Sequence, residues 1–427
     1  MSERVFVLEY DLISPLGIGK QAVLQSLRDN VCAECEVSQF SADEFSYKTA
    51  AEIKQPISFL YQYENEQVLR ALHYDRKLEL IVSIYQYMKK CLHPLFQKIP
   101  AARAGVVLGI GADVPDFEKI DDSLGHILSS ETNVFKTIVT SLNTQKSKLN
   151  TVFNPFDVYA VYLAEKLNLG AFQKSSLTAC AASTQAIAQA FNAIQSGNAD
   201  MVLAGGTDSI INSFAFLSFA KLGVLASSDE TDGAACKPFD VNRNGTLAGE
   251  AAGLCVLASE NICKELNITP KFELLGYGNT LDAYKITAPD PSGKGIQRAL
   301  ENALEMAGIS TQEIDYINLH GTGTRNNDAI ELEALKVVFG PALKNIPISS
   351  TKSRHGHAIA AAGIQEFAIL CLCMENDFIP GNLNLHKPID TENTNLITEN
   401  LQREIRIGMT VNFAFGGVNT VLITRKI

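Results

Sequence analysis

Thr178-Ala-Cys-Ala-Ala-Ser-Thr184 joins an apolar, strand-like run to a helix that can only sit in the interior. From Ala181 to Phe191 only Ser183, Thr184, Gln185 and Gln189 are polar, and Gly and Pro are absent. A helix that is apolar or small on nearly every side is a buried one. Cys180 falls on its first turn, facing free backbone N–H groups and the positive end of the helix dipole. Both predict a lowered pKa and a nucleophilic thiolate. Taken alone, such a thiol is most often a small core residue.

Two later junctions of the same kind change that balance. In Ile317-Asn-Leu-His-Gly-Thr-Gly-Thr-Arg-Asn-Asn-Asp-Ala-Ile-Glu331, an apolar strand over 314–319 runs into His320 and then a Gly/Thr turn. Asp328 is expected to cap the following helix and, like Glu331, to be structural. In Ile348-Ser-Ser-Thr-Lys-Ser-Arg-His-Gly-His-Ala-Ile-Ala-Ala-Ala-Gly363, Lys352, His355 and His357 occupy the polar turn. The C-terminal ends of parallel strands are where open α/β sheets place their chemistry. One nucleophile candidate and two histidine turns, all at strand–helix junctions, form a constellation rather than three accidents.

These residues resemble the β-ketoacyl-[acyl-carrier-protein] synthases of the condensing-enzyme, thiolase-like superfamily, and most of all the type II elongating synthases. The resemblance runs from Ile13-Ser-Pro-Leu-Gly17 through Lys237-Pro-Phe-Asp-Val-Asn-Arg-Asn-Gly245, Ala248-Gly-Glu-Ala-Ala-Gly253 and Asp282-Ala-Tyr-Lys-Ile-Thr-Ala-Pro-Asp290 to Asn412-Phe-Ala-Phe-Gly-Gly-Val-Asn419. It implies Cys180 as the acylated nucleophile and His320 and His357 as donors to an enolate. It further implies a buried Lys352–Glu366 pair behind His320, and an oxyanion hole from the N–H groups of Cys180 and Phe415. Thr287, Thr322 and Thr324 would hold a pantetheine arm, Phe413 and Ala112 would line the substrate pocket, and Arg76 and Lys77 would dock the carrier. Arg70, Lys146 and Lys148 would extend that patch. Glu250 matches a structural acid. Acyl carrier protein is the implied partner, in a homodimer or a heterodimer with a paralogous synthase or chain-length factor. Neither metal nor organic cofactor is expected.

Several positions depart from the family pattern. Ala112 stands where a bulky aliphatic residue is common, which would leave the far end of an acyl pocket open. Ala414-Phe-Gly-Gly417 replaces Gly-Phe-Gly-Gly, and a Cβ at 414 should stiffen the gate. Lys285 replaces a common His. Arg325-Asn-Asn-Asp328 resembles synthases of aryl-polyene or flexirubin-type pathways. A non-catalytic chain-length-factor-like subunit is the rival of another class, but such partners typically lack the nucleophile. A degradative thiolase would place its nucleophile nearer the N-terminus and add a late catalytic cysteine, whereas the last one here is Cys373.

Composition agrees with an α/β enzyme. The 427 residues are 46% hydrophobic, enough for a large core, and the net charge of −11 argues against a nucleic-acid binder. Met1-Ser-Glu-Arg leads directly into a strand, and no apolar run reaches the ~20 residues of a membrane span, so a cytoplasmic protein is expected. Nine scattered cysteines fit a reducing compartment. Cys32-x-x-Cys35 lacks a second ligand pair, and His355-Gly-His357 lies beside cationic Lys352 and Arg354, so neither reads as a metal site. Cys371 and Cys373 read as packing.

Apolar runs alternate with helical patterns, the signature of layered α/β architecture. Strands are expected at 5–10, 104–108, 176–178, 201–205 and 253–258, then at 271–278, 314–319, 346–349, 407–411 and 419–424. The fold class is therefore α/β, and the resemblance specifies a five-layered α-β-α-β-α fold of two pseudo-duplicated halves. The N-terminal half, 1–262, would carry the nucleophile and the C-terminal half, 263–427, the histidines. No repeated string shows the duplication. Residues 112–156 read as a polar excursion carrying dimer contacts and one pocket wall.

Overall fold

All seven residues of the strand Ala104–Ile110 are buried, and so are all twelve of Ala248–Ser259. Strands covered on both faces read as continuous apolar runs rather than alternating ones, and both are paired on each side within one sheet system. The computed structural model describes residues 3–43, 45–112, 155–227 and 234–427. The expected excursion therefore lies almost entirely outside the described residues.

Ten strands form the frame: β1 Val5–Ser14, β2 Ala104–Ile110, β3 Gln173–Ser176, β4 Met201–Ser209 and β5 Ala248–Ser259, then β6 Phe272–Leu281, β7 Tyr316–Asn318, β8 Ile348–Ser349, β9 Ile407–Ala414 and β10 Val418–Lys426. In space the first five run β3-β2-β4-β5-β1 and the second five run β8-β7-β9-β10-β6. The directions match as well. The third strand of each set pairs parallel with the second, and the second parallel with the fourth. The fourth pairs antiparallel with the fifth, and the fifth antiparallel with the first. The two sets meet where Val5–Val7 pairs antiparallel with Phe272–Leu274. The chain is thus one topology used twice. Each expected strand corresponds to an observed one, but β3 sits upstream of its expected place, because the chain must leave the sheet at Leu177 to enter the turn before Cys180.

Neighbouring side chains on one strand serve different layers. Val106 and Leu108 of β2 face outward into a core shared with Leu80 and Ile84 of α1, Arg76–Phe96. Val107 points the other way, into the middle layer. That layer holds two helices, α2 Ala182–Gln195 and α3 Ala362–Asn376, with Ile187, Phe191, Phe367 and Leu370 in one core. Helices Lys294–Ala307 and Arg325–Phe339 cover the outer face of the second set through Leu300 and Leu335. The order of layers is α-β-α-β-α. The segment 359–376 is apolar enough to be mistaken for a membrane span, yet it is 89% buried as the central helix of this sandwich.

Glycine sets how closely the middle helices approach. A Cβ on Gly363 would lie 1.9 Å from Thr184 Oγ1 and 2.6 Å from Thr184 N. Each helix is entered through a three-residue turn, Ala179–Ala181 and Ile359–Ala361, whose first residue has positive φ (45° at Ala179, 39° at Ile359). Gly363→Ala should therefore push α2 and α3 apart and cost at least the ~1–3 kcal/mol of an overpacked core. A drop in the denaturant midpoint checks this; an unchanged midpoint would show that the helices can slide at no cost.

Candidate active site

Cys180 and His357 come from the two copies of the same strand–turn–helix junction, and the α2–α3 contact brings them face to face. His357 Nε2 lies 3.1 Å from Cys180 Sγ. The rings of His320 and His357 meet edge to face with centroids 5.3 Å apart. One ligand-type atom from each of Cys180, His320 and His357 can be chosen so that all three lie within 4.8 Å of one another, and all three residues are buried. The N–H groups of Phe415 and of Cys180 itself both approach the sulfur, the arrangement of an oxyanion hole.

Burial dominates the protonation of this cluster. It pushes the Cys180 thiol up to about 12, against the opposing influence of Lys352 and the Phe415 N–H. The helix terminus was expected to lower that pKa; desolvation of the charged sulfur outweighs it. Both histidines are held well below the usual imidazole range, first by burial and then by the Lys352 ammonium. The resting site is a neutral thiol beside two neutral imidazoles.

Lys352 also fixes which nitrogen of His320 carries hydrogen. Its Nζ lies 3.3 Å from His320 Nδ1 and donates to the His320 carbonyl at 2.7 Å. Asn412 Nδ2 approaches the same Nδ1 at 3.4 Å. With donors on both sides, Nδ1 must accept, so Nε2–H faces the cavity. Lys352 pairs with Glu366, whose other oxygen accepts from Asn412 Nδ2 at 2.6 Å, and all three residues are fully buried. Asn412 Oδ1 in turn accepts from Thr184 on α2, so one amide ties the nucleophile's helix to the His320 network. Glu331 accepts the His320 N–H at 2.7 Å and the Gly321 N–H at 2.9 Å, pinning the turn after β7. Asp328 accepts the Phe239 and Gly323 N–H groups.

A cavity of about 390 Å³ reaches these groups from the surface. Cys180, His320 and His357 line it together with Thr287, Thr322, Thr324, Phe413 and Phe415. Thr322 and Thr324 bond to each other through their hydroxyls at 2.9 Å. The 414–417 loop is strapped to the loop that carries Thr287: Gly416 N–H donates to Ile286 O at 2.6 Å, and Asp282 N–H donates to Gly417 O at 2.8 Å. Ala414 ends β9 paired with Val418, and the positive φ angles fall on Gly416 and Gly417 instead.

Three expectations need correction. Arg76 does not present a free cation: its guanidinium grips the fully buried Glu250 carboxylate at 2.8 and 2.9 Å and Glu79 at 2.7 Å. Lys77 is also buried, its ammonium donating to Ala112 O at 2.9 Å. A buried carboxylate demands a cation, and that demand turns this pair inward. The Arg70 side chain, Lys146 and Lys148 lie outside the described residues. Ala112 is exposed at the end of β2 and does not line the cavity. Two positioning groups were missed. Asn412 stood inside a quoted motif without a role, and nothing local reveals that its amide spans both halves. Glu331 was read as merely structural; its spacing from His320 on a strand–turn–helix was the available signal.

Two measurements follow from this geometry. Arg76→Met should cost about 3–5 kcal/mol in denaturant unfolding, the price of an unpaired buried carboxylate, and adding Glu250→Gln should recover most of it. Independent, additive losses would show that the pair is not coupled. Because the thiolate is the reactive form, alkylation of Cys180 by iodoacetamide should accelerate about tenfold per pH unit between about pH 7 and 9. A plateau below pH 8, read by peptide mass, would mean that the helix terminus prevails after all.

The chain matches the Beta-ketoacyl synthase N-terminal domain over residues 84–261 and the Beta-ketoacyl synthase C-terminal domain over residues 272–386. It is 29% identical to the 3-oxoacyl-[acyl-carrier-protein] synthase 2 of Rhizobium meliloti (strain 1021) over 99% of both chains. It is 35% identical to the enzyme of the same name from Staphylococcus aureus (strain COL) over 59% of this chain, a match that spans 61% of that relative. Among solved structures, a beta-ketoacyl synthase from Burkholderia phymatum STM815 superposes over the whole of both chains with a TM-score of 0.84 at 25% identity. The ketosynthase (ApeO) in complex with its chain length factor (ApeC) from Xenorhabdus doucetiae shares the fold at a TM-score of 0.77 and 24% identity, covering 100% of this chain and 98% of that one. By its two domain matches and its paired sheets, the chain belongs to the beta-ketoacyl synthase family.

Proposed function

We propose that the protein is a 3-oxoacyl-[acyl-carrier-protein] synthase that joins a malonyl unit to an acyl chain held on Cys180. The observation that carries this reading is the neutral Cys180–His357–His320 cluster under the Phe415 N–H, at the foot of a cavity lined with threonines.

In the first half-reaction Cys180 Sγ attacks the carbonyl carbon of an acyl thioester. Because the resting thiol is neutral, its proton must leave as the S–C bond forms. The proton ends on the sulfur of the departing pantetheine thiol. The transient oxyanion lies against the N–H groups of Cys180 and Phe415. In the second half-reaction malonyl thioester loses CO2, and the C–C bonding pair becomes an enolate. Its oxygen takes hydrogen bonds from the Nε2–H groups of His320 and His357. An imidazolium would hand over a proton and quench the carbanion, so keeping both rings neutral serves this step. The carbanion attacks the acyl-Cys180 carbonyl, the C–S bond breaks, and Cys180 recovers a proton from solvent.

Acyl carrier protein is the proposed donor and acceptor, with Thr287, Thr322 and Thr324 along the path of its pantetheine arm. The chain is proposed to work in the cytoplasm as a homodimer or beside a paralogous subunit. A purely chain-length-setting role is not favoured, because a subunit that never acylates has no use for Cys180 between two neutral histidines.

Cys180→Ala should carry no acyl group by intact mass and make no condensation product, while still releasing CO2 from malonyl-carrier. His357→Ala should lose decarboxylation by about 10²–10³-fold, the usual cost of removing a transition-state donor. An acyl group retained on the Cys180→Ala protein would overturn the nucleophile.

A further inference from the structure

Asp208, near the end of β4, is buried beside the site and takes no part in the steps above. Its side chain is 3% exposed. Oδ1 accepts the Ser209 N–H at 2.9 Å and Oδ2 accepts the Ala360 N–H at 3.0 Å. The backbone just past β2 gives way for it: a Cβ on Gly111 would lie 2.2 Å from both carboxylate oxygens. From the start of α1, Lys77 favours the ionised form and Asp75 opposes it, and the charge is felt at the Cys180 thiol.

Ala360 is the counterpart of Cys180. Each is the middle residue of a three-residue turn that opens on a positive-φ residue and leads into a central helix. In the first turn the Cys180 N–H faces the oxyanion that appears during reaction. In the second, the equivalent N–H already holds a carboxylate. The residue before it, Ile359, is β-branched at φ 39°, a conformation that costs about 1–3 kcal/mol and persists only when its surroundings hold it. Two residues before Ile359 is His357.

We propose that Asp208 is a positioning residue for His357, a resident anion that fills the second turn's amide site and locks the Ile359 turn in the conformation that aims His357 at Cys180. Two N–H groups each take one oxygen, so only a carboxylate satisfies both; an amide has a single acceptor. The proposal rests on the condensing-enzyme reading, in which His357 serves decarboxylation and acylation depends mainly on Cys180 and its oxyanion hole.

The test compares the full-length protein with its near-isosteric Asp208→Asn variant in two assays: decarboxylation of a malonyl thioester, and acylation of Cys180 by a short acyl thioester read by intact mass. At about pH 7.5, Asp208→Asn should decarboxylate about tenfold more slowly, the loss of one charge-assisted hydrogen bond, and acylate within about threefold of the wild type. Burial pushes the Asp208 carboxyl up to about 6, so wild-type decarboxylation should fall as pH drops through that value, and the fall should be absent from Asp208→Asn. Gly111→Ala, which leaves Asp208 in place but displaces its carboxylate, should reproduce the selective loss; thermal melts verify that both variants fold. Equal losses in the two assays, no loss in either, or an inflection near pH 6 that survives in Asp208→Asn would each overturn the positioning role. A wild-type protein that cannot decarboxylate the malonyl thioester would overturn the condensing-enzyme reading itself.

Discussion

The approach of α2 to α3 across Gly363 and Thr184 is the constraint on which the site depends. Neither repeat holds a complete reaction centre. The first supplies a thiol and one N–H of its amide hole; the second supplies the Phe415 N–H that completes the hole, two histidines and a buried ammonium. These parts converge because both central helices start at the same end of their sheets and pack side by side. Small residues on both helices, Ala182 and Ser183 on one and Ala362 and Gly363 on the other, let the two turns come within hydrogen-bond reach. A bulkier pair there would separate His357 from Cys180 by about the width of a methyl group, enough to break their 3.1 Å contact.

Electrostatics then divides the work. Lys352 and Glu366 are fully buried, an arrangement that costs several kcal/mol of desolvation per ion and is weak evidence for stability by itself. Its use is local. The ammonium turns His320 Nδ1 into an acceptor, adds to burial in keeping both imidazoles neutral, and offsets part of the burial penalty on the thiol. Asn412 and Thr184 extend that control to the nucleophile's helix. The same network therefore serves a thiol that must lose its proton and imidazoles that must not gain one.

Much of this was legible in the sequence because the chemistry sits at strand–turn–helix junctions. Those junctions announce themselves through apolar runs that break into Gly, Thr and His before small-residue helices. Cys180, His320 and His357 were found that way, and the structure brings them together. The duplication was invisible because strand order and direction, not residue identity, are what the halves share: the counterpart of Cys180 is Ala360. Arg76 and Lys77 misled for a related reason. A basic pair at a helix start looks solvated until its partner is known, and Glu250 lies 174 residues away. The thiol's pKa was misjudged because a helix terminus is readable from sequence, whereas the depth of burial is not.

The two turns differ in when their anion arrives, and this difference accounts for their different sequences. At Cys180 the amide site must stand ready for a charge that exists only during bond making, so the surrounding residues are small and the Phe415 N–H completes the hole. At Ala360 the site is filled by Asp208 throughout, and the turn behaves as a fixed mount. A pseudo-symmetric fold would otherwise offer two competing anion sites a short distance apart. Occupying one with a side chain leaves the Cys180 turn as the open member of the pair, at a thiol that lines the cavity.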